Sequence, residues 1–545
     1  MLRSGMMDDY QLTLVHLLER AGQLFPMNEI VSRNPDGSFH RYTYGDYYRR
    51  TRQLANALKK LGVGEGDRVA TLCWNHHRHL EAYFAVPCSG AVLHTLNLRL
   101  HPNDLTYITN HAEDVAIIVD RSLLPLLEQF KDQVKSLKHV VVIPDDGRTP
   151  AGYLDYETII AAESPDFAYP KIDERSAAAM CYTSGTTGNP KGVLYSHRST
   201  VLHTMASCMT DSIAIGERDA ILPVVPMFHA NAWGLPFDAV FTGAKMVFPG
   251  PNLAPDVLLD LMAREKVTVA AGVPTIWLGI LALLDGDPKK WDLSAMRTMV
   301  IGGSAAPPSM IDGFKRRHGL VVTHAWGMTE TNPLGTLARV KKHMDGWDDT
   351  QRLSVTATQG HPVPFVETRV VDDEGHVLPH DGTTMGELEV RGPWVAARYY
   401  NNDEQASRFT PDGWFKTGDI VTINDEGYIT ITDRSKDVIK SGGEWISTVA
   451  LENALMAHPA VLEAAVFAGR HAKWDERPIA AVVFKPGKSA TKEELASHLE
   501  PSFAKWWLPD EYLFLDQIPK TSVGKFQKLK LREEYGDYLL KTPAG

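Results

Sequence analysis

Residues 177–192 read Ala-Ala-Ala-Met-Cys-Tyr-Thr-Ser-Gly-Thr-Thr-Gly-Asn-Pro-Lys-Gly, and their reading decides the fold class. The first six form an apolar run of the length of a buried strand. The composition then changes at once. Thr183, Ser184, Thr186 and Thr187 bring hydroxyls, Gly185, Gly188 and Gly192 bring backbone freedom, and Lys191 brings a fixed positive charge. Glycines let a backbone approach an anion closely, while successive N–H groups and hydroxyls surround phosphate oxygens. Beyond the loop, Val201, Met205 and Met209 read as a helix. Strand, phosphate loop and helix in this order predict an α/β fold. The loop is no Walker A motif, which needs Gly-Lys followed by Ser or Thr. Pro190 precedes Lys191 and Gly192 follows it, so a P-loop kinase or ATPase is disfavoured.

Working outward, the N-terminal part alternates the two element types. Thr43 caps a stretch where Tyr47, Leu54, Leu58 and Leu61 recur at helical spacing. Short apolar runs at 69–73, 91–95, 115–120 and 139–144 read as strands, and a helix passes through Leu80 to Phe84. This alternation predicts largely parallel sheets. After about residue 355 the pattern changes to short strands with turns at Asp373-Glu374-Gly375, Pro411-Asp412-Gly413 and Asp425-Glu426-Gly427, the signature of antiparallel hairpins. The charged run Asp433-Arg434-Ser435-Lys436-Asp437 then interrupts the apolar pattern. Beyond it a helix near 449–457, strands at 464–468 and 479–484, and a helix near 492–499 make a small α+β unit of roughly 110 residues, a usual domain size. The expected partition is a large domain over 1–433, a hinge at 434–439 and a small mobile domain over 440–545.

At 545 residues the chain exceeds one ordinary core. Its 44% hydrophobic and 23% charged content is that of a globular protein, and a net charge of −11 gives no global attraction to nucleic acid or anionic membrane. The four cysteines form no Cys-x-x-Cys pair and read as buried free thiols of a reducing, cytoplasmic compartment. No signal peptide is visible, and the apolar stretch from Val267 to Leu284 contains Gly272, Pro274 and Gly279, so it reads as strand, turn and helix and not as a membrane span.

The loop Tyr182–Gly192 resembles the signature of the AMP-forming adenylating enzymes: acyl- and aryl-CoA synthetases, luciferases and adenylation domains. The resemblance runs from about residue 10 to 540. Through residues 224–234, 324–330 and 440–447 it is strongest towards bacterial medium- and long-chain fatty acyl-CoA synthetases. It implies a large domain of α/β subdomains with a small antiparallel sub-barrel, followed by a small α+β domain on a hinge. It implies ATP, Mg2+ and coenzyme A, and a homodimer. Activation of a medium- to long-chain fatty acid to acyl-AMP, then transfer to CoA, is the implied reaction.

The resemblance also gives roles to segments that are otherwise bland. Thr183, Ser184, Gly185, Thr186, Thr187, Gly188 and Lys191 would hold the phosphates. Glu330, at the end of His324-Ala325-Trp326-Gly327-Met328-Thr329-Glu330, would bind Mg2+ with the Thr183 hydroxyl, a fit to that ion's hard oxygen ligands. Trp326, Gly327 and Thr329 would surround adenine and α-phosphate. Gly302, Gly303 and Ala305, small residues after a strand, would lie between adenine and the acyl pocket. Thr417-Gly418-Asp419, an ordinary turn by itself, would place Asp419 on the ribose with Arg434. Lys436 would be the hinge residue. Ser441, Gly442, Gly443, Glu444 and Trp445 would line the pantetheine channel. Lys525, otherwise one more lysine of a polar loop, would be the catalytic lysine of adenylation, within a catalytic set of Lys525, Glu330, Thr183, Lys436 and His229.

In the acid-binding segment, His229 follows Phe228 where amino-acid-activating relatives carry an Asp, so an amino-acid substrate is disfavoured. Trp233 matches the aromatic gate of the long-chain enzymes. Around it Ala230, Ala232, Gly234, Ala270, Ala271 and Gly272 suggest an apolar lining without a fixed counter-charge. Two other substrate or product classes stay open at this level: a short thioether acid of the methylmercaptopropionate type, and a luciferase-like oxygenation of the adenylate. An inactive binding protein is the third reading, which the full set of polar residues disfavours.

Overall fold

The computed structural model describes residues 7–541 apart from 146, 184–188, 435–436, 442–443 and 522–524. Two large sheets form the bulk of the chain. A seven-stranded sheet takes its strands in the order Leu154–Asp155, His139–Ile143, Asp114–Asp120, Arg68–Leu72, Val92–Thr95, Ala177–Tyr182 and Gly192–Ser196. All its pairs are parallel except the last. A nine-stranded sheet has six parallel strands at its centre, from Val322–Gly327 through Thr298–Ile301, Val269–Gly272, Ala220–Pro223 and Lys245–Phe248 to Glu29–Arg33. Its edges are antiparallel. Parallel strands buried on both faces need helices over both, and the alternating sequence supplies them.

The expected helix after Thr43 spans Tyr44–Lys60. The Thr43 side chain accepts from the Asp46 N–H while Asp46 reaches back to the Thr43 N–H, and Tyr47, Leu54 and Leu58 are buried along one face. Val267 to Leu284 is indeed strand and helix, Val269–Gly272 and Pro274–Gly286. Hydrophobic packing unites both large sheets in one core running from Leu14 to Ile429.

The four strands Glu367–Val371, Gly386–Arg391, Phe415–Ile423 and Ile429–Arg434 form an antiparallel sheet. Past residue 437 a five-stranded sheet carries its own cores, one around Leu451, Val466 and Leu495 and one around Phe467, Ile479 and Leu531. The joint between the two regions is tied by Asp433, whose Oδ2 accepts from the Thr448 N–H at 2.8 Å and the Thr448 hydroxyl at 2.7 Å.

One expectation needs correcting. The phosphate loop does not lead straight into a helix. The strand Gly192–Ser196 intervenes and returns antiparallel along Ala177–Tyr182, and the helix is His197–Cys208. The alternation of buried Val193 and Tyr195 with exposed Leu194 is the period-two signal that the glycines and Pro190 obscured. That helix buries Val201 but exposes Met205, and Met209 lies past its end. Of the four free thiols, Cys73, Cys88 and Cys181 are buried and Cys208 is half-buried. No helix among the described residues is long and apolar enough to cross a membrane.

Candidate active site

The stem of the phosphate loop is a β-hairpin. Tyr182 pairs with Gly192 across the ladder. The Thr183 N–H donates to the Lys191 carbonyl at 3.0 Å, and the Lys191 N–H donates back to Thr183 Oγ1 at 3.1 Å. The Thr183 hydroxyl keeps its hydrogen and one lone pair for a ligand. Ser184, Gly185, Thr186, Thr187 and Gly188 lie outside the described residues.

The stem aims the Lys191 ammonium at Tyr399, 5.6 Å from the ring centre. The Tyr399 hydroxyl donates to Glu330 Oε1 at 2.6 Å. Glu330 sits on the tight turn Thr329–Thr331, whose backbone is fixed by the Tyr195 hydroxyl donating to the Thr329 carbonyl at 2.7 Å and by the Ala396 N–H donating to the Glu330 carbonyl at 2.7 Å. The Glu330 side chain is buried, yet no basic side chain among the described residues lies within 4.0 Å of it. A buried carboxylate without a counter-ion is costly. With the Thr183 hydroxyl it forms the hard-oxygen donor set that Mg2+ prefers, so these residues fit the ion.

A second group gathers around Asp419. Its neighbour Thr417 anchors the strand by donating to the Leu388 carbonyl at 2.7 Å. The Trp326 indole N–H donates to Asp419 Oδ2 at 2.9 Å, and Arg434, its partner across the ladder, brings Nε to 2.6 Å from Oδ1. Each carboxylate oxygen retains a lone pair, which a ribose hydroxyl can use. Gly327 is required next to Trp326, because a Cβ there would overlap the Pro333 carbonyl.

The third group is built on Gly302 and Gly303, which follow the strand Thr298–Ile301. The Trp233 indole lies over both: its atoms come to 3.2 Å of where a Gly302 Cβ would stand and 3.8 Å for Gly303. Ala305 is half-buried on the same turn. Lys525 arrives from the C-terminal region, with Cε 4.0 Å from the Gly303 Cβ position. Its loop is closed by the Thr521 N–H donating to the Lys525 carbonyl at 2.6 Å. Burial first, and the Lys525 charge second, push the His229 imidazole down to about 3. His229 is therefore neutral at neutral pH.

Sequence reasoning missed the backbone that carries His229 and Trp233. Ala230, Asn231, Ala232 and Trp233 have φ of 43°, 52°, 50° and 58°, and Gly234 follows at 83°, a left-handed turn. Left-handed backbone costs roughly 1–2 kcal/mol per L-residue, and such strain concentrates at functional sites. Only Asn231 and Gly234 hint at it in the sequence, as residues that tolerate the region. The small residues expected to line an apolar pocket have these surroundings. Ala270 and Ala271 are buried in cores, Gly272 faces the Trp277 ring, and Gly234 abuts the buried His203.

Ser441 lies on the hairpin of Ile439–Ser441 with Glu444–Ile446, and its hydroxyl accepts from Arg477 Nη1 at 3.3 Å. Lys436, Gly442 and Gly443 lie outside the described residues, as do the side chains of Glu444 and Trp445. Tyr195 and Tyr399 were missed altogether, since nothing in their local sequence separates them from core residues.

Elsewhere, Cys73, His76 and Asp120 bring ligand atoms within 4.8 Å of one another. His76 Nδ1 accepts from the His79 N–H at 3.1 Å, so Nε2 carries the proton that it gives Asp120 at 2.8 Å. That ring has no lone pair left for a metal, and the group acts as a helix cap.

Comparison with known proteins shows the family. The family model described as "AMP-binding enzyme" matches residues 18–400, and "AMP-binding enzyme C-terminal domain" matches 450–525. A long-chain-fatty-acid–CoA ligase of Thermus thermophilus is 51% identical over 98% of this chain and 97% of its own. A 3-methylmercaptopropionyl-CoA ligase of Ruegeria lacuscaerulensis is 45% identical over 98% and 99%. A medium-chain-fatty-acid–CoA ligase of Ectopseudomonas oleovorans is 44% identical over 99% and 98%. Among solved structures, the anthranilate CoA ligase AuaEII in complex with anthranoyl-AMP superposes with a TM-score of 0.87 at 27% identity, covering 98% of each chain.

Proposed function

The chain belongs to the AMP-binding enzyme family, and on that premise we propose that it is a fatty acyl-CoA synthetase acting in two half-reactions. The fatty acid carboxylate attacks the α-phosphate of ATP, and pyrophosphate leaves. The CoA thiolate then attacks the acyl carbon, and AMP leaves. The observation that carries this reading is the meeting of Lys525 with Gly303, Trp233 and His229. A cation from the C-terminal region there stands beside the glycine turn and the Trp233 indole and is felt at His229.

In this reading Lys525 stabilises charge on the attacking carboxylate and the α-phosphate. Neutral His229 shapes the acid site without adding a competing cation. Asp419 and Arg434 orient the ribose, and Thr183 and Lys191 hold phosphate oxygens. Glu330 and Thr183 would hold Mg2+, which supplies charge neutralisation on the polyphosphate. The partition into 1–433, a hinge at 434–439 and 440–545 belongs to the same proposal, as do a cytoplasmic location and a homodimer, which sedimentation of the full chain tests. Rotation of the small domain about the hinge would exchange Lys525 for the Ser441–Trp445 hairpin between the half-reactions.

CoA-dependent AMP formation across straight-chain acids of four to sixteen carbons, with methylmercaptopropionate alongside, tests the function. Each buried methylene contributes about 0.8 kcal/mol, so kcat/KM should rise several-fold per carbon until the pocket is full. A preference for the thioether acid would move the assignment to that class. Trp233 seals the glycine turn, so Trp233→Ala is expected to shift the chain-length optimum while leaving the KM for ATP within about 2-fold. A mutant profile parallel to the parent's would remove Trp233 from the acyl site.

Glu330→Gln replaces a carboxylate ligand by a weaker carbonyl oxygen and keeps the acceptor for Tyr399. The Mg2+ concentration for half-maximal adenylation should rise about 10-fold. An unchanged Mg2+ requirement would make Glu330 a structural residue.

A further inference from the structure

The phosphate side of the site holds a second cation. Arg408 ends the short turn Asp403–Arg408, half-buried, with its guanidinium 5.6 Å from the Phe415 ring centre. Phe415 packs on Phe409 at 5.3 Å, and Phe409 on Tyr399 at 5.5 Å. This aromatic row runs from Arg408 at one end to Tyr399 at the other, the ring over which Lys191 sits. The segment is registered on the phosphate stem, since the Tyr400 N–H donates to the Gly192 carbonyl at 2.9 Å.

Neither Lys191 nor Arg408 has a carboxylate within 4.0 Å among the described residues. The two are close enough to feel each other: after burial, the Arg408 charge is what lowers the Lys191 pKa, against Glu330. Arg408 also acts on the Tyr399 hydroxyl, the group that donates to Glu330. Two cations with no carboxylate within 4.0 Å among the described residues form an anion site of more than one charge.

We infer that Arg408, together with Lys191, binds the terminal two phosphates of ATP and the inorganic pyrophosphate that leaves from them. The assignment rests on the adenylating function proposed above. AMP, with its single phosphate, has no group that needs Arg408 once the ribose is held at Asp419. Arg408 is then a binding residue of the first half-reaction and of its reverse, and takes no part in the second.

Equilibrium dialysis of the full-length protein with Mg-pyrophosphate and, separately, with AMP tests this in wild type, Arg408→Gln and Arg408→Lys. The expected result is a Kd for pyrophosphate raised about 10-fold or more in Arg408→Gln, partly restored in Arg408→Lys, with the Kd for AMP within about 2-fold of wild type. Thioester formation from supplied acyl-adenylate should be unchanged in both variants. Parallel weakening of AMP and pyrophosphate, an unaffected pyrophosphate Kd, or no pyrophosphate binding by wild type would each overturn the assignment. Wild type that binds pyrophosphate through Arg408 but shows no acid-dependent exchange would instead overturn the adenylating function and leave the anion site standing.

Discussion

Lys525→Ala is expected to lower acid-dependent ATP–pyrophosphate exchange by about 10²–10³-fold, the cost of removing one preorganised charge from a phosphoryl-transfer transition state. Thioester formation from supplied acyl-adenylate should stay within a few-fold of wild type. The asymmetry follows from geometry. The Lys525 side chain reaches Gly303 only because the C-terminal region is folded over the site, and its charge is felt at His229. In the second half-reaction the proposed rotation carries Lys525 away from the α-phosphate, so the charge that returns to AMP as it leaves is stabilised without the ammonium. Stopped-flow adenylate formation and a separate thiolation assay measure the two steps. Equal loss in both would mean that Lys525 supports the fold and not the first transition state, and Lys525→Arg, which keeps the charge but not its compact shape, would then rescue both equally.

Much of this arrangement is legible in the sequence, and the reason is local. The strand at Ala177–Tyr182, the capped helix after Thr43 and the Asp-Glu-Gly and Pro-Asp-Gly turns each follow from short-range rules of burial, capping and turn chemistry. Glu330, Asp419 and Lys525 were named only through resemblance, because no local rule separates a Mg2+-binding glutamate from a surface one. What stayed hidden depends on contacts across long stretches of chain. Tyr399 lies 69 residues from Glu330 and Asp419 lies 93 from Trp326, and only the folded sheets bring them together. The left-handed turn at Ala230–Trp233 was illegible for a different reason. Alanine and tryptophan disfavour that backbone, so only tertiary packing can impose it.

The same packing predicts a steep loss of stability in mild acid. His77, His79, His197, His203 and His324 are all at most 2% exposed. Burial pushes His79 and His203 down to about 3 and His197 and His324 to about 4, and lowers His77 as well. In the unfolded chain each titrates near 6.5, so the unfolded state binds protons that the native state refuses. The native state therefore keeps its full stability above pH 6.5 and loses it as the pH falls, by about 1.4 kcal/mol per pH unit for each histidine. Buried Asp114, Asp238 and Glu452, whose carboxyls burial raises, act with the opposite sign. Even if each of the three cancelled one histidine, a net uptake of about two protons would remain, or about 3 kcal/mol per pH unit near pH 5. Chemical denaturation at pH 7.5, 6 and 5 should show this loss. In His203→Gln the amide oxygen can still accept the Leu334 N–H that Nε2 now accepts at 3.3 Å, while the titration is removed. That variant should unfold with one proton fewer taken up. Equal stability at pH 5 and 7.5, or an unaltered slope in His203→Gln, would show that these imidazoles accept their protons inside the folded chain.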